Sequence, residues 1–279
     1  MAWLLTQRLA DFMTAADRYL HSDPVRNTVP LTVLETLRQR GLSAYADSAP
    51  VFGWHETRPG EADGAFLQTP PFPMLVAGIP PGSSASLVRL IAGRKPAAAN
   101  LPDSDAAEFE AAWSAVTGGS TTVALRMRLF QLEALEPPAP SPAGAARIAD
   151  GSDLDLLVTW NDDFVAEALE NDENSVRTVR DKLSYGGITL WEDGGRPVSM
   201  ASMTRRVAGV CRVGPVYTPP EYRRRGYGGA VTTAVSRRAL DQGAAAVVLY
   251  TDLANPTSNA LYQRIGYRPV CDRIAVQLG

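Results

Sequence analysis

The chain has 279 residues, 45% of them apolar, and a formal net charge of -3; that length and apolar content suit one large domain or two of ordinary size around a well-buried core. So small a charge supplies no broad attraction for nucleic acid or an anionic membrane, and neither is expected as a partner. Two cysteines, Cys211 and Cys271, and two histidines, His21 and His55, are too few for a disulfide framework or a Cys/His metal cluster, so no metal is expected.

The first twelve residues mix Trp3, Leu4 and Leu5 with Gln7, Arg8 and Asp11 and are too polar for a signal segment. No uncharged apolar run approaches the roughly 18 residues of a membrane span, which predicts a cytoplasmic protein. Helical material is expected over 7–40, then strands at 51–56, 65–69 and 74–79. The last of these runs into Pro80-Pro81-Gly82, followed by helices at 83–92 and 106–116 and a strand at 121–132. Next comes Glu136-Pro137-Pro138-Ala139-Pro140-Ser141-Pro142-Ala143-Gly144, whose prolines preclude a helix interior or central strand and favour an extended linker. Domains are therefore expected at 1–135 and 146–279, joined by 136–145.

In the second half, Leu156, Leu157, Trp160, Phe164 and Leu169 recur at helical spacing within 153–185. Strands at 187–191 and 197–205 are joined by Asp193-Gly194-Gly195, a glycine pair suited to the positive φ of a hairpin turn. A strand at 210–218 is stopped by Pro219 and Pro220, and a Gly-rich turn opens a helix whose stripe is Val231, Val235 and Leu240 with Ala234 and Ala239. Residues 245–250 read as a strand buried on both faces. Asn255-Pro256 caps a further helix closed by Gly266, and 268–278 is a final strand. The order of elements in the first half repeats much of this, which predicts an α/β (α+β) fold duplicated within the chain.

Residues 216–229, Val-Tyr-Thr-Pro-Pro-Glu-Tyr-Arg-Arg-Arg-Gly-Tyr-Gly-Gly, join a strand to a helix through glycines that leave backbone N-H groups uncovered. Such a turn can cradle a pyrophosphate with the main chain of Arg224, Gly226, Gly228 and Gly229, since a first helical turn has unpaired donors and a partial positive end. Arginine side chains, here Arg223, Arg224 and Arg225, can add charge-assisted bonds. No Gly-Lys-Ser/Thr follows, so this is no Walker loop. The leading glycine and later acidic residue of a dinucleotide fingerprint are also missing.

At this point the sequence resembles the GNAT superfamily of N-acetyltransferases, whose Arg/Gln-x-x-Gly-x-Gly/Ala loop matches Arg223-x-x-Gly226-x-Gly228. Residues 252–267, from Asp252 through Asn255, Leu261 and Tyr262 to Gly266-Tyr267, are similar to that family's second signature. The resemblance runs from about 146 onward and is nearest the FR47-like branch. It implies two tandem GNAT-like domains, each a mixed, mostly antiparallel sheet flanked by helices. It also implies acetyl-CoA as co-substrate and transfer of its acyl group to an amine by direct attack in a ternary complex. Val216, Tyr217 and Thr218 would then pair with the pantetheine arm like an added strand, with Asn255 contacting it and Ser258 assisting. Tyr262, on the same helix face as Asn255 and Ser258, would protonate the leaving thiolate, a step suited to a phenol that keeps its proton at neutral pH. A backbone N-H near Val216 would serve as oxyanion donor.

The strand at 210–218 has no glutamate to act as general base. Glu192 and Asp252 are the nearest carboxylates in sequence, and neither is assigned that role. In the first half, Pro80-Pro81-Gly82-Ser83-Ser84 stands where the cofactor loop would recur, and Trp113 stands near the place of Tyr262. The first domain is accordingly expected to be a degenerate relative of the second that binds no cofactor. The acceptor is expected to be a small-molecule or peptide amine. Alternatives are a non-catalytic acyl-CoA sensor and an interaction protein with an inherited fold.

Overall fold

The computed structural model describes residues 2–168 and 174–279. In chain order the elements are β1 (Ala2–Thr6), α1 (Leu9–Ser22), α2 (Thr28–Arg40), β2 (Val51–Arg58), β3 (Glu61–Gln68), β4 (Met74–Gly78), α3 (Ser84–Ile91), β5 (Ala98–Pro102), α4 (Asp103–Thr117) and β6 (Thr121–Leu132). They continue with β7 (Ala145–Ile148), α5 (Leu154–Ala168), α6 (Ser175–Ser184), β8 (Ile188–Asp193), β9 (Arg196–Met203), β10 (Val210–Tyr217), α7 (Tyr227–Asp241), β11 (Ala246–Asp252), α8 (Pro256–Arg264) and β12 (Tyr267–Leu278). From β1 to β6 and again from β7 to β12 the order is strand, two helices, three strands, helix, strand, helix, strand, so the expected duplication is present element for element.

Two compact units result. The first holds Met1–Leu129, Asp252–Ala254 and Val270–Gly279; the second holds Phe130–Thr251 and Asn255–Pro269. This differs from a division at 136–145, because the end of β12 packs with the first unit. There Arg273–Gln277 pair antiparallel with Ala98–Pro102 of β5, and Ile274 and Val276 enter the core beside Leu101, Phe109 and Trp113. In the rest of that sheet β1 to β4 are successively antiparallel, and β4 meets β5 in parallel. Phe109, fully buried on α4, contributes about 1.5–3 kcal/mol by leaving water.

In the second unit β7, β8, β9 and β10 are successively antiparallel, and β10 meets β11 in parallel. Helix α7 covers one face through Val231, Val235 and Ala239, all fully buried, while α5 and α6 contribute Leu157, Trp160 and Val179 to a separate cluster with Leu190, Met200 and Tyr217. Gly194 and Gly195, at φ +59° and +75°, make the β8–β9 turn as their spacing predicts. The single helical stretch expected over 153–185 is two helices, and Leu169, counted in its spacing, lies outside the described residues. Residues 136–144, expected as a linker, are laid along the second unit. Glu136 N-H bonds Ile265 O at 3.1 Å, and the Trp191 indole N-H donates to Ala143 O at 2.8 Å.

Candidate functional site

The parallel ladder of β10 and β11 ends at Val213 and Leu249, although β10 runs on to Tyr217 and β11 to Asp252. Pro215 lacks an N-H, so the ladder cannot simply continue there. Between Val213 and Val216 the β9–β10 register also shifts, before pairing resumes at Val216–Ala201 and Tyr217–Met200. The bulge is braced from the α6 side: Gly214 O accepts from Ser202 Oγ at 2.6 Å and from Lys182 Nζ at 3.2 Å, and Lys182 also donates to Ser202 Oγ at 2.8 Å. One strand leaves another at the point where its carbonyl is held by two side chains.

Beyond β10 the chain passes through a short 3-10 turn, Pro220–Tyr222, into the loop that opens α7. Gly226 sits at the N-cap in the left-handed region, φ +86°, and offers no side-chain cap. The first intrahelical bond there is Ala230 N-H to Gly226 O, so the N-H groups of Tyr227, Gly228 and Gly229 find no acceptor within the helix. Arg224 also has positive φ, +62°, a conformation that costs an L side chain about 1–2 kcal/mol. Such backbone strain is a feature of ligand-holding loops.

The arginines part company. Arg223 was expected at the phosphates, but its guanidinium turns back to the protein: Nε donates to Thr218 O at 2.8 Å, and Nη2 reaches both Glu167 oxygens at 2.7 Å. That side chain anchors the loop to α5. Arg224 and Arg225 stay exposed. Gly229 has a packing role as well: a Cβ there would stand 3.0 Å from Leu261 Cδ1 and 3.4 Å from Pro138 Cγ, so its bareness lets α7 pack on α8. At Gly228 a Cβ would find ordinary contacts, the nearest Thr218 Oγ1 at 3.4 Å.

Of the strand residues, Tyr217 points away from the parallel seam. Its ring lies 6.3 Å from that of Trp160, its hydroxyl donates to Asp163 at 3.4 Å, and burial, reinforced by Asp163 and Glu167, pushes its pKa up to about 12. Tyr217 O accepts from Ser199 Oγ at 3.0 Å, and Ser199 Oγ also meets Thr218 Oγ1 at 2.8 Å. Val216 instead packs toward α7 with Val213.

At the start of α8, Asn255 is the N-cap, its Oδ1 accepting from Ser258 N-H at 3.0 Å. Both residues therefore hold the helix terminus, with the Asn255 amide nitrogen left over for other contacts. Tyr262 lies two turns on, 8% exposed, its ring 6.1 Å from that of Tyr267 and nearly edge-on. Burial alone pushes its pKa up to about 12, so the phenol keeps its proton at neutral pH. Tyr267 is itself fully buried and hydrogen-bonded to Ser236 Oγ at 2.6 Å.

Neither carboxylate considered as a base is poised for it. Glu192 Oε1 accepts from Arg147 Nε at 2.6 Å, and Asp252 Oδ1 accepts from Ala254 N-H at 2.8 Å. The braces Lys182, Ser202, Ser199 and Glu167 carry no mark in the sequence, because each is an ordinary polar residue whose partner lies 12 to 56 positions away. Among the described residues no group of His, Cys, Asp and Glu could hold a metal ion, and no helix is long and apolar enough to cross a membrane.

Comparison with known proteins accords with this geometry. The model of the acetyltransferase (GNAT) family matches residues 147–267. No curated protein sequence matches the chain. Among solved structures, a GNAT-family acetyltransferase from Colwellia psychrerythraea superposes with a TM-score of 0.63 at 13% identity, over 100% of this chain and 99% of that one. A Drosophila protein gives 0.68 at 16%, over 99% and 98%, and a GCN5-related N-acetyltransferase from Sphaerobacter thermophilus gives 0.65 at 15%, over 98% and 94%. At such identities the likeness speaks for the fold, and it does so along both halves, as two tandem GNAT-like domains. With its early-ending parallel ladder, uncapped α7 and matching family model, the stretch 147–267 is similar to the acetyltransferase domains of the GNAT family.

Proposed function

We propose that the second unit transfers an acyl group, acetyl in the simplest case, from acyl-CoA to an amine by direct attack in a ternary complex. The observation that carries the reading is the ending of the β10–β11 ladder at Val213 beside an α7 terminus whose first N-H groups have no intrahelical acceptor. An extended thiol-bearing arm suits the opened seam, and a pyrophosphate suits the N-H groups of Tyr227, Gly228 and Gly229. Arg224 and Arg225 contribute charge at the loop, while Arg223 keeps the loop in place through Glu167.

Acyl-CoA supplies a thioester carbonyl with a good leaving group. The chain's part is to hold that carbonyl against a backbone donor of the β10 bulge near Val216, and to return a proton to sulfur. Tyr262 fits the second task, since its hydroxyl is neutral at physiological pH and its helix is fixed by the Asn255 cap. The amine loses its proton to solvent or an ordered water, as Glu192 and Asp252 are both engaged elsewhere.

That engagement also favours a second reading, in which the unit binds acyl-CoA without turnover. Thiol release from acetyl-CoA, measured across a panel of small amines, peptide N-termini and lysine peptides, separates the two. Release with any amine, lost in Tyr262→Phe, supports the transferase. Tight calorimetric binding with no release from any amine would favour the sensor, and no binding at all would overturn both.

A further inference from the structure

The first unit contains the same strand–helix–strand device as the proposed cofactor site, and its interior differs in one consistent way. Strands β4 and β5 pair in parallel only at Met74–Ala99 and Leu75–Asn100, then separate although β4 continues to Gly78 and β5 to Pro102. Into that opening β12 sends Arg273, 6% exposed. Its Nη2 donates to Val76 O at 2.7 Å and to Asn100 O at 3.0 Å, and its Nε donates to Asn100 Oδ1 at 2.8 Å. A single guanidinium thus satisfies carbonyls of both parting strands, the groups that an inserted extended ligand would otherwise use.

The polar groups farther along are met in the same way. Ile79 N-H, just past the end of β4, donates to Asp105 Oδ2 at 2.9 Å. At the entry to α3, Glu108 Oε1 accepts from Gly82 N-H at 3.1 Å and from Ser84 N-H at 3.3 Å, with Oε2 3.3 Å from Gly82 N. Both carboxylates come from the first two turns of α4, where Asp105 and Glu108 share a face at three-residue spacing. A carboxylate on the N-H groups of a helix entry answers the same electrostatic need as a phosphate. The Tyr19 hydroxyl lies only 2.4 Å from where a Cβ on Gly78 would be, so the end of β4 is covered as well.

We propose that the first unit is a copy of the cofactor site filled by the chain's own side chains, with Glu108 in place of the pyrophosphate, Asp105 at the strand end and Arg273 between the parted strands. The chain then takes up one acyl-CoA, in the second unit, and the first unit keeps its fold without a ligand. The comparison of the two sites rests on the acyl-CoA reading of the second unit, but the internal bonds of the first can be tested separately.

Acetyl-CoA is titrated calorimetrically into the wild-type chain, into Gly228→Glu, where a Cβ meets only ordinary contacts, and into Glu108→Ala, an exposed position. Hydrogen exchange of residues 79–85 is followed by mass spectrometry in the same samples. One equivalent is expected for wild type and Glu108→Ala, and none for Gly228→Glu. Exchange at Gly82 and Ser84 is expected to speed up about fivefold in Glu108→Ala, as loss of one hydrogen bond predicts, and to be unmoved by acetyl-CoA in wild type. Two equivalents, a site that survives Gly228→Glu, protection of 79–85 by acetyl-CoA, or exchange indifferent to Glu108→Ala would each overturn the proposal. If no sample binds acetyl-CoA, the reading of the second unit fails, and the exchange comparison still decides whether Glu108 fills the first.

Discussion

Replacing Gly266 with alanine tests how the turn that closes α8 is held in this chain. Gly266 has φ +99°, and a Cβ there would lie 1.7 Å from Ala134 O and 2.8 Å from Ala134 C, a backbone obstacle that no rotamer change relieves. The obstructing segment is itself tied down by Glu133 N-H to Gly266 O at 3.0 Å and Glu136 N-H to Ile265 O at 3.1 Å. Gly194, at φ +59° with nothing within 4 Å of its Cβ position, is the internal control. There the substitution meets only the left-handed backbone penalty, about 1 kcal/mol. At Gly266 the same penalty is joined by displacement of residues 133–136 and loss of those two hydrogen bonds, about 1 kcal/mol each, for about 3 kcal/mol in all. With about 2–4 °C per kcal/mol for chains of this size, calorimetric melting should fall by about 3 °C in Gly194→Ala and about 9 °C in Gly266→Ala. Because Pro138, two residues beyond the displaced segment, lies against Gly229 at the start of α7, acetyl-CoA affinity should fall in Gly266→Ala and hold in Gly194→Ala. Equal melting shifts in the two variants would refute the argument from the Ala134 carbonyl.

Three further outcomes follow from the same structure. Tyr262→Phe keeps the buried ring and removes the hydroxyl proposed as proton donor, so turnover should drop about 10²-fold or more with the melting temperature and acetyl-CoA Kd little changed; a proportional rise in Kd would point to binding instead. Glu167→Ala frees Arg223 from α5, and since exposed ion pairs contribute about 0–1 kcal/mol, stability should barely move. Calorimetry should nevertheless find weaker acetyl-CoA binding, and an unchanged Kd would show that the brace does not shape the loop. Asp153 is held below the usual carboxylate range chiefly by its hydrogen bonds from Arg147, at 2.7 Å to each oxygen, against opposing burial. A depressed folded-state pKa adds stability above the unfolded value of about 3.9 and loses it as pH falls through the folded value. Asp153→Asn should therefore destabilise by about 1–3 kcal/mol at pH 7 and match wild type in strong acid, as read by urea denaturation across pH.

The parts of this fold legible in the sequence are those whose cause is local. The β8–β9 hairpin follows from Gly194-Gly195, α8 from the Asn255-Pro256 cap, and α7 from its apolar stripe, because each depends on backbone conformation or on spacing within a few residues. Strands β1, β5 and β7 carry no such local signal. Ala2–Thr6 buries only Trp3, Ala98–Pro102 has no β-branched residue, and Ala145–Ile148 is a short edge beside prolines. What makes them strands is the neighbour each pairs with, β2 for β1, β12 for β5 and β8 for β7. The site divides along the same line. Gly226 and the capping of α8 by Asn255 could be read from short motifs. The turning of Arg223 toward Glu167 could not, because a salt bridge across 56 positions leaves no mark on the loop itself. The packing role of Gly229 is hidden for the same reason: its neighbours Leu261 and Pro138 are brought to it only by the fold.

The membership of Val270–Gly279 in the first unit has a bearing on how the chain is made. Ile274 and Val276 are fully buried in the core of that unit, and Trp113 donates its indole N-H to Gly279 O at 3.1 Å. During synthesis the N-terminal unit emerges from the ribosome long before these residues exist, with the open flank of β5 unpaired meanwhile. An unpaired strand edge invites association with other chains. The first half to be translated is thus the last to be completed, and a stop codon near residue 269 would injure the beginning of the protein.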